Sequence, residues 1–411
     1  MFYRMPSYYN QFKCVADKCP ESCCAGWAIV IDDKTMDKYE SLSVKDRDYI
    51  ESHIDMGEQC FKRCNGRCAF LNEQKLCELI INYGEDKLCK TCTRYPRHFE
   101  EYGNLVEAAL SLSCPEAARI ILTNPAYDRN LVRKTDRVSP HSKEVDYVLL
   151  GCLLDVRKHL FEIISDRSIS VDARMKWMLK YSAKMQKPVY AYEKYGFRRK
   201  IKKAVATFLV GMDTLTNNDR NRFIQYKSKY INNESNNIDS LDGTNELDNS
   251  VCILSERYKI LPQYIDMLLG LEAINDEWPE LIQNIKHALY DNLSEEKYCA
   301  YSKEFTQYMK DREYEYEHIL YYFIYTYFLG GVYDYNIQAM VKFAIISTII
   351  IREMGLYTWL INDKACTIDS QIRNSCLFSR QIEHSDENLM ALEGILNVHP
   401  IFSEANLIRI L

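Results

Sequence analysis

The sequence predicts a mainly α-helical protein in which a cysteine-rich module comes first and helical domains follow. Three observations predict it. Eleven of the 16 cysteines lie at or before Cys114, and only Cys152, Cys252, Cys299, Cys366 and Cys376 lie beyond. Apolar residues after about position 143 recur at helical rather than alternating spacing. The glycines number only 14, and nothing resembles the strand–helix alternation of a parallel sheet or barrel. At 411 residues, the chain is long enough for two or three structural units.

The first unit is read as residues 1–125. Trp27-Ala-Ile-Val-Ile-Asp32 is rich in β-branched residues and predicts a short strand. Asp33 to Leu42 and Leu105 to Leu122 read as helices, and Asn124-Pro125 ends the second, because the residue before proline disfavours helical geometry. The second unit is read as 143–232. Val145, Val148, Leu149, Cys152, Leu153, Val156, Leu160, Ile163 and Ile164 share one helical face. Core packing explains that face better than a partner groove. Asn232 to Asn249 is polar and turn-rich, and reads as a linker. The third unit is read as 251–411. Ile319 to Leu329 is dense in aromatic residues before Gly330-Gly331 breaks the pattern. Phe343 to Ile351 is apolar but too short to cross a bilayer, and Lys342 and Arg352 bracket it, so it predicts a buried helix. The 31 tyrosines read mostly as core with satisfied hydroxyls. A cation–π pocket for an alkylammonium group is the sharper alternative. The five outlying cysteines read as small buried hydrophobes.

Composition excludes several classes. A formal charge of −6 and a pI near 5.9 disfavour a nucleic-acid surface and suit a basic protein partner. The opening MFYRMPSYYNQFKC lacks the apolar core of a secretory leader. The expected compartment is the cytoplasm, with no membrane association. Thiols there stay reduced, so clustered cysteines imply a metal before disulfides. Neither a G-x-G-x-x-G turn nor a G-x-x-x-x-G-K-[ST] loop occurs, which disfavours a Rossmann-type cofactor domain.

The cysteines come in close groups. Cys14, Cys19, Cys23 and Cys24 precede Trp27. Cys60, Cys64, Cys68 and Cys77 follow. Then come Cys89-Lys-Thr-Cys92-Thr-Arg-Tyr-Pro-Arg97 and Ser111-Leu-Ser-Cys114-Pro-Glu-Ala-Ala-Arg119. Thiolates are soft ligands that suit zinc and iron–sulfur clusters, which usually take four. A close pair such as Cys89 and Cys92 lets one turn present two sulfurs, and a Cys-Pro step after a ligand is a ferredoxin-like feature. An all-thiolate site is expected, iron–sulfur (4Fe-4S) ahead of zinc. The core ligands are read as Cys68, Cys77, Cys89 and Cys92, with Cys19, Cys23, Cys24 and Cys114 as alternates. Cys60, Cys64 and Cys68 are spaced three and three, which departs from the three-then-two ligand spacing of radical S-adenosylmethionine enzymes.

These motifs resemble the bacterial flagellin lysine N-methylase family. The likeness rests on Met5-Pro-x-Tyr-Tyr-x-x-Phe-x-Cys14, Cys23-Cys24-x-Gly-Trp27, Cys68-Ala-Phe-Leu71, Cys89-x2-Cys92-x2-Tyr-Pro-Arg97 and the Ser111–Arg119 motif, and covers about residues 5 to 122. The segment from Cys19 through Cys92 is also similar to a wider group of zinc- or iron-chelating cysteine-cluster domains. The family resemblance implies methyl transfer from S-adenosylmethionine to lysines of flagellin, as partner and substrate, with an iron–sulfur cluster that is mainly structural. It makes Tyr95 and Glu116 candidate catalytic residues. Asp32, Arg94, Arg97 and Ser113 become candidate cofactor-binding residues. Each could equally brace the metal site. The competing reading is a non-enzymatic metal-binding or redox-sensing module with helical partner-binding domains.

Overall fold

The computed structural model of the protein describes residues 2–25, 27–74, 76–123, 131–134, 145–195, 245–275 and 277–411. It is mainly helical. Among the described residues, a four-stranded sheet joins β1 (Phe2–Met5), β6 (Arg97–Tyr102), β7 (Leu105–Leu110) and β8 (Leu131–Lys134) in the order β6-β7-β1-β8. β1 runs parallel to β7, with Tyr3 opposite Val106, and antiparallel to β8.

The segment 105–122 departs from the single helix its sequence predicts. Leu105–Leu110 is a strand, and only α5 (Pro115–Thr123) is helical. Leucine and alanine favour helix by propensity, but cross-strand pairing overrides it. Gly103 and Asn104 form a two-residue turn that returns β6 onto β7, with Tyr102 opposite Leu105 and Gly103 at a φ of 60°. Trp27–Asp32 is likewise extended without being a full strand, since only Val30 makes a bridge, to Cys60. The helix expected at Asp33–Leu42 is present as α1 (Asp33–Glu40).

The remaining small elements of the cysteine-rich region are α2 (Val44–Ser52), the hairpins of β2 (Ile54–Asp55) with β3 (Cys60–Phe61) and β4 (Arg63–Cys64) with β5 (Arg67–Cys68), α3 (Glu78–Tyr83) and α4 (Lys90–Arg94). They share a small core of their own, containing Ile29, Ile31, Tyr39, Ile50, Ile54, Phe61, Phe70, Leu79 and the thiols of Cys68 and Cys89.

A second, larger core gathers Tyr8 and Tyr9 of a short 3-10 turn (Ser7–Gln11), strands β1, β6 and β7, α5 and the later helices. Thus the first 125 residues feed two cores rather than one. α6 (Tyr147–Ile164) buries Leu149, Leu153, Val156, Leu160 and Ile164, so its apolar face is core. α7 (Val171–Tyr195) packs against it. The expected linker ends earlier than Asn249, because α8 (Asn245–Leu269) starts at Asn245. The rest of that linker, residues 232–244, lies outside the described residues, as do Asn124-Pro125 and residues 196–231 of the second unit.

α9 (Glu277–Lys286), α10 (Glu295–Tyr308), α11 (Tyr314–Tyr327), α12 (Gly331–Asp334), α13 (Ile337–Ile361), α14 (Ile368–Glu383), α15 (Asp386–Val398) and α16 (Glu404–Arg409) complete the body. α13 is its axis, packed by α7, α11, α14 and α15. Every residue from Phe343 to Ile351 is buried, as expected. The aromatic run ends where the sequence places its break: α11 stops at Tyr327 and α12 begins at Gly331. Among the described residues no helix is long and apolar enough to cross a membrane.

Ion pairs fasten the layers. Arg157 of α6, 1% exposed, forks onto Glu107 of β7 at 2.6 and 2.5 Å and donates to the Tyr325 carbonyl at 3.1 Å. A planar guanidinium matches a carboxylate in this bidentate way. Asp172, in the first turn of α7, receives Arg257 at 2.8 Å and Arg352 at 2.6 Å.

Candidate functional site

The thiols of the cysteine-rich region are all free. Cys77, Cys89 and Cys114 stand at the N-termini of α3, α4 and α5, where exposed backbone N–H groups favour a thiolate. The Cys89 thiol accepts from the Cys92 amide at 3.5 Å. Hydrogen bonding from the Cys92 side chain, and from the Cys92 and Thr91 amides, pulls the Cys89 thiol below its usual range against its burial. Burial instead pushes Cys68 up to about 11 and Cys114 up to about 12. Cys68 lies within electrostatic reach of Cys77, Cys89 and Cys23, Cys77 of Cys23 and Cys89, and Cys92 of Cys89, Cys24 and Cys68, while Tyr39 senses Cys89, Cys92 and Cys77. Among the described residues, no three side chains of histidine, cysteine, aspartate or glutamate come together as closely as a single metal ion requires. The donor set of Cys68, Cys77, Cys89 and Cys92 is nonetheless all sulfur, and partly or fully buried. That donor chemistry suits zinc or an iron–sulfur cluster alike.

The sequence-predicted polar residues divide into two sets. Tyr95, Ser113 and Cys114 meet at one junction. Ser113, fully buried, is its hub. The Ser113 hydroxyl is 2.9 Å from the Tyr95 hydroxyl, 2.7 Å from the Ser111 hydroxyl and 2.9 Å from Nε2 of His384. The other set is committed elsewhere. Asp32 caps α1 and accepts from the Lys90 amide at 2.7 Å and the Thr35 hydroxyl at 2.9 Å, so it ties α1 to the start of α4. Arg94 lies over the ring of Phe99 at 5.4 Å, and Arg97 over Phe12 at 5.1 Å and Tyr9 at 5.9 Å. Glu116 pairs with Arg119 at 2.8 and 2.5 Å along α5.

α14 completes the junction from the far end of the chain. Arg380 donates through Nε to the Ser113 carbonyl at 2.9 Å and through Nη1 to Glu21. Trp27 stacks near His384, with centroids 4.5 Å apart, and Tyr95 lies 5.6 Å from Trp27. Burial, helped by the Arg380 charge, lowers His384 to about 3, so its imidazole is neutral at physiological pH. Its Nδ1 is buried with no hydrogen-bond partner. Tyr322 donates to Glu383 at 2.5 Å, and burial raises the Glu383 carboxyl. A cleft of about 980 Å³ opens beside the junction, lined by Glu21, Arg63, Arg67, Asn275, Arg373 and Arg380 among others.

Sequence reasoning missed His384, Arg380 and Glu21. A histidine and an arginine in the last turns of a helix look like ordinary C-terminal charges. Only their position more than 260 residues from Ser113 gives them a role. Of the outlying cysteines, Cys299, Cys366 and Cys376 are buried as expected, Cys152 is half-buried, and Cys252 is exposed.

Residues 157–410, which include α14 and both Arg380 and His384, match the FliB lysine N-methylase C-terminal domain. The chain belongs to the FliB lysine N-methylase family. Relatives of this FliB-family chain include the lysine-N-methylase of Salmonella typhimurium (strain LT2), 31% identical over 150 residues, which covers 33% of this chain and 37% of that protein. The lysine-N-methylase of Salmonella choleraesuis (strain SC-B67) is equally similar, at 31% over 150 residues and the same coverage. The flagellar biosynthetic protein FliU of Salmonella muenchen is 34% identical over 131 residues, 29% of this chain and 76% of that protein. The matched stretch therefore spans little more than a third of the length of the FliB-family lysine-N-methylases. No solved structure matches.

Proposed function

We propose that the protein methylates lysine side chains of flagellin with S-adenosylmethionine as methyl donor. Family membership supports the reaction class, and the flagellar name of the Salmonella muenchen relative supports the substrate. The observation that carries the reading within the chain is the junction of Ser113 and Tyr95 with His384 and Arg380. There the cysteine motifs meet the family domain beside an open cleft.

Methyl transfer needs a neutral lysine amine in line with the sulfonium carbon. The nitrogen–carbon bond forms as the carbon–sulfur bond breaks, giving S-adenosylhomocysteine and a methylated lysine. Arg380 disfavours a second cation beside it, as it does on His384. The same field lowers the pKa of an ammonium entering the junction and so supplies the nucleophile. Neutral His384 and the Tyr95 and Ser113 hydroxyls can orient the amine by hydrogen bonds, and orientation contributes much of the rate. The Trp27 and Tyr95 rings offer apolar faces for the methylene stem of the lysine.

Cys68, Cys77, Cys89 and Cys92 would hold an iron–sulfur cluster, zinc being the alternative. When bound, the cluster would cross-link a loop-rich region and supply folding free energy. Purified protein, S-adenosylmethionine and flagellin from the same bacterium should give lysines heavier by one methylene or more in mass spectrometry, without added reductant. Transfer that requires dithionite and releases 5′-deoxyadenosine would overturn the direct displacement. Absence of S-adenosylmethionine binding would overturn the methylase reading.

A further inference from the structure

Resting on the methylase reading, we propose that the cleft beside the junction seats S-adenosylmethionine, with Arg63 and Arg67 taking the carboxylate of its amino-acid end and Asp369 taking the ammonium. The chain has neither a G-x-G-x-x-G turn nor a G-x-x-x-x-G-K-[ST] loop to hold a nucleotide by backbone groups. A charged cosubstrate is then held by side chains, and a cleft of about 980 Å³ is of ligand size.

The cleft draws its lining from both halves of the chain. The cysteine-rich region contributes the β4–β5 hairpin. Its two-residue turn, Asn65-Gly66, has positive φ at both positions, 51° and 73°. Arg63 and Arg67 flank that turn, and both are exposed. The family domain contributes Asn275, Glu277 and the start of α14, where Asp369 lies in the first turn.

The charges around the cleft are not equivalent. Arg373 pairs with Glu277, and Arg380 pairs with Glu21. Among the described residues, no carboxylate pairs with Arg63 or Arg67, and no cation pairs with Asp369. Two uncommitted cations and one uncommitted anion therefore line one cleft without neutralising each other. That arrangement matches a zwitterion, because a guanidinium forks onto a carboxylate and a carboxylate accepts from an ammonium. A lysine side chain brings a cation alone and leaves both arginines unanswered.

The rest of the lining suits the adenosine. Leu71, Ile274, Ile372 and Leu377 offer apolar contact to a purine. Asn275 accepts from the Trp278 amide at 2.8 Å through Oδ1, which leaves its NH2 group to donate to a purine ring nitrogen. Pro115 and Arg380 bring the cleft to the junction. Pro115 is two residues beyond Ser113, and Arg380 donates to the Ser113 carbonyl at 2.9 Å.

The test is isothermal titration calorimetry of the full-length protein with S-adenosylmethionine and with its decarboxylated analogue. The wild type should bind S-adenosylmethionine about tenfold or more tighter than the analogue. Arg63→Ala/Arg67→Ala should bind the two equally, near the wild-type affinity for the analogue. Asp369→Asn should weaken both, since both keep the ammonium. A preference that survives in Arg63→Ala/Arg67→Ala overturns the proposal and leaves the methylase reading standing, because the wild type still binds the methyl donor. Equal weakening of both ligands in that variant also overturns it, since the arginines then only brace the hairpin. A wild type that binds neither ligand removes the proposal and the methylase reading together.

Discussion

At the scale of single residues, Ser113 concentrates the most consequence. It bonds two hydroxyls and one imidazole while fully buried. Ser113→Ala leaves Tyr95 and His384 each short of a partner, at a cost of about 1–3 kcal/mol in a buried setting. Methyl transfer should fall by about ten- to a hundredfold, with little change in far-ultraviolet circular dichroism. An unchanged kcat would remove Ser113 from the site. Asp172 offers a pH test. Burial opposes its ionisation, but the Arg257 and Arg352 guanidiniums override that and hold the carboxyl well below its usual range. A depressed folded pKa contributes stability that is complete above the unfolded value of about 3.9 and is lost as pH falls through the folded one. Urea midpoints should therefore be level near neutrality and decline below about pH 4–5. Asp172→Asn should cost about 3–5 kcal/mol at pH 7, because it strands two largely buried guanidiniums, and should flatten the acid decline. Ser113 and Tyr95 were legible because they sit in recurrent cysteine motifs. Arg380 and His384 were not, because no local pattern marks a contact made across most of the chain.

At the scale of elements, the β6–β7 hairpin shows where pattern reading stops. Leu105–Leu110 contains leucines, alanines and a glutamate, all compatible with helix, and one of its two neighbours in the sheet, β1, lies outside any sequence window. The turn was the available signal: Gly103-Asn104 is a hairpin dipeptide. Gly103 has a left-handed φ, and an added Cβ would collide with the Tyr147 side chain. Gly103→Ala should lower the thermal midpoint, costing about 1–3 kcal/mol. Gly394→Ala, where a Cβ meets nothing, should leave the midpoint unchanged or slightly higher. Equal effects of the two would show that the turn geometry is not required. α6 and α13, by contrast, were readable from periodicity and length because each buries its apolar residues in one core.

At the scale of the whole molecule, the mainly helical class followed from composition and period, but the division into cores did not. Residues 2–12 and 95–122 belong with the helices, whereas the segment around Ile29–Cys89 keeps a core of its own. A cysteine count cannot see this, since thiols line both sides. Arg380 joins the two by holding Glu21 and the Ser113 carbonyl. Arg380→Ala should speed amide hydrogen exchange in residues 19–25 and 111–116 while leaving α11 and α13 as protected as before. Uniformly faster exchange would mean that Arg380 serves global stability and no particular contact.

The position of β1 between β7 and β8 also sets an order of events during synthesis. Once made, Phe2–Met5 waits for partners beyond residue 104, on the order of ten seconds at ~5–20 residues per second. Everything from Cys14 to Cys92 is made in that interval. The cysteine-rich region is therefore complete before the sheet that encloses its ends can close.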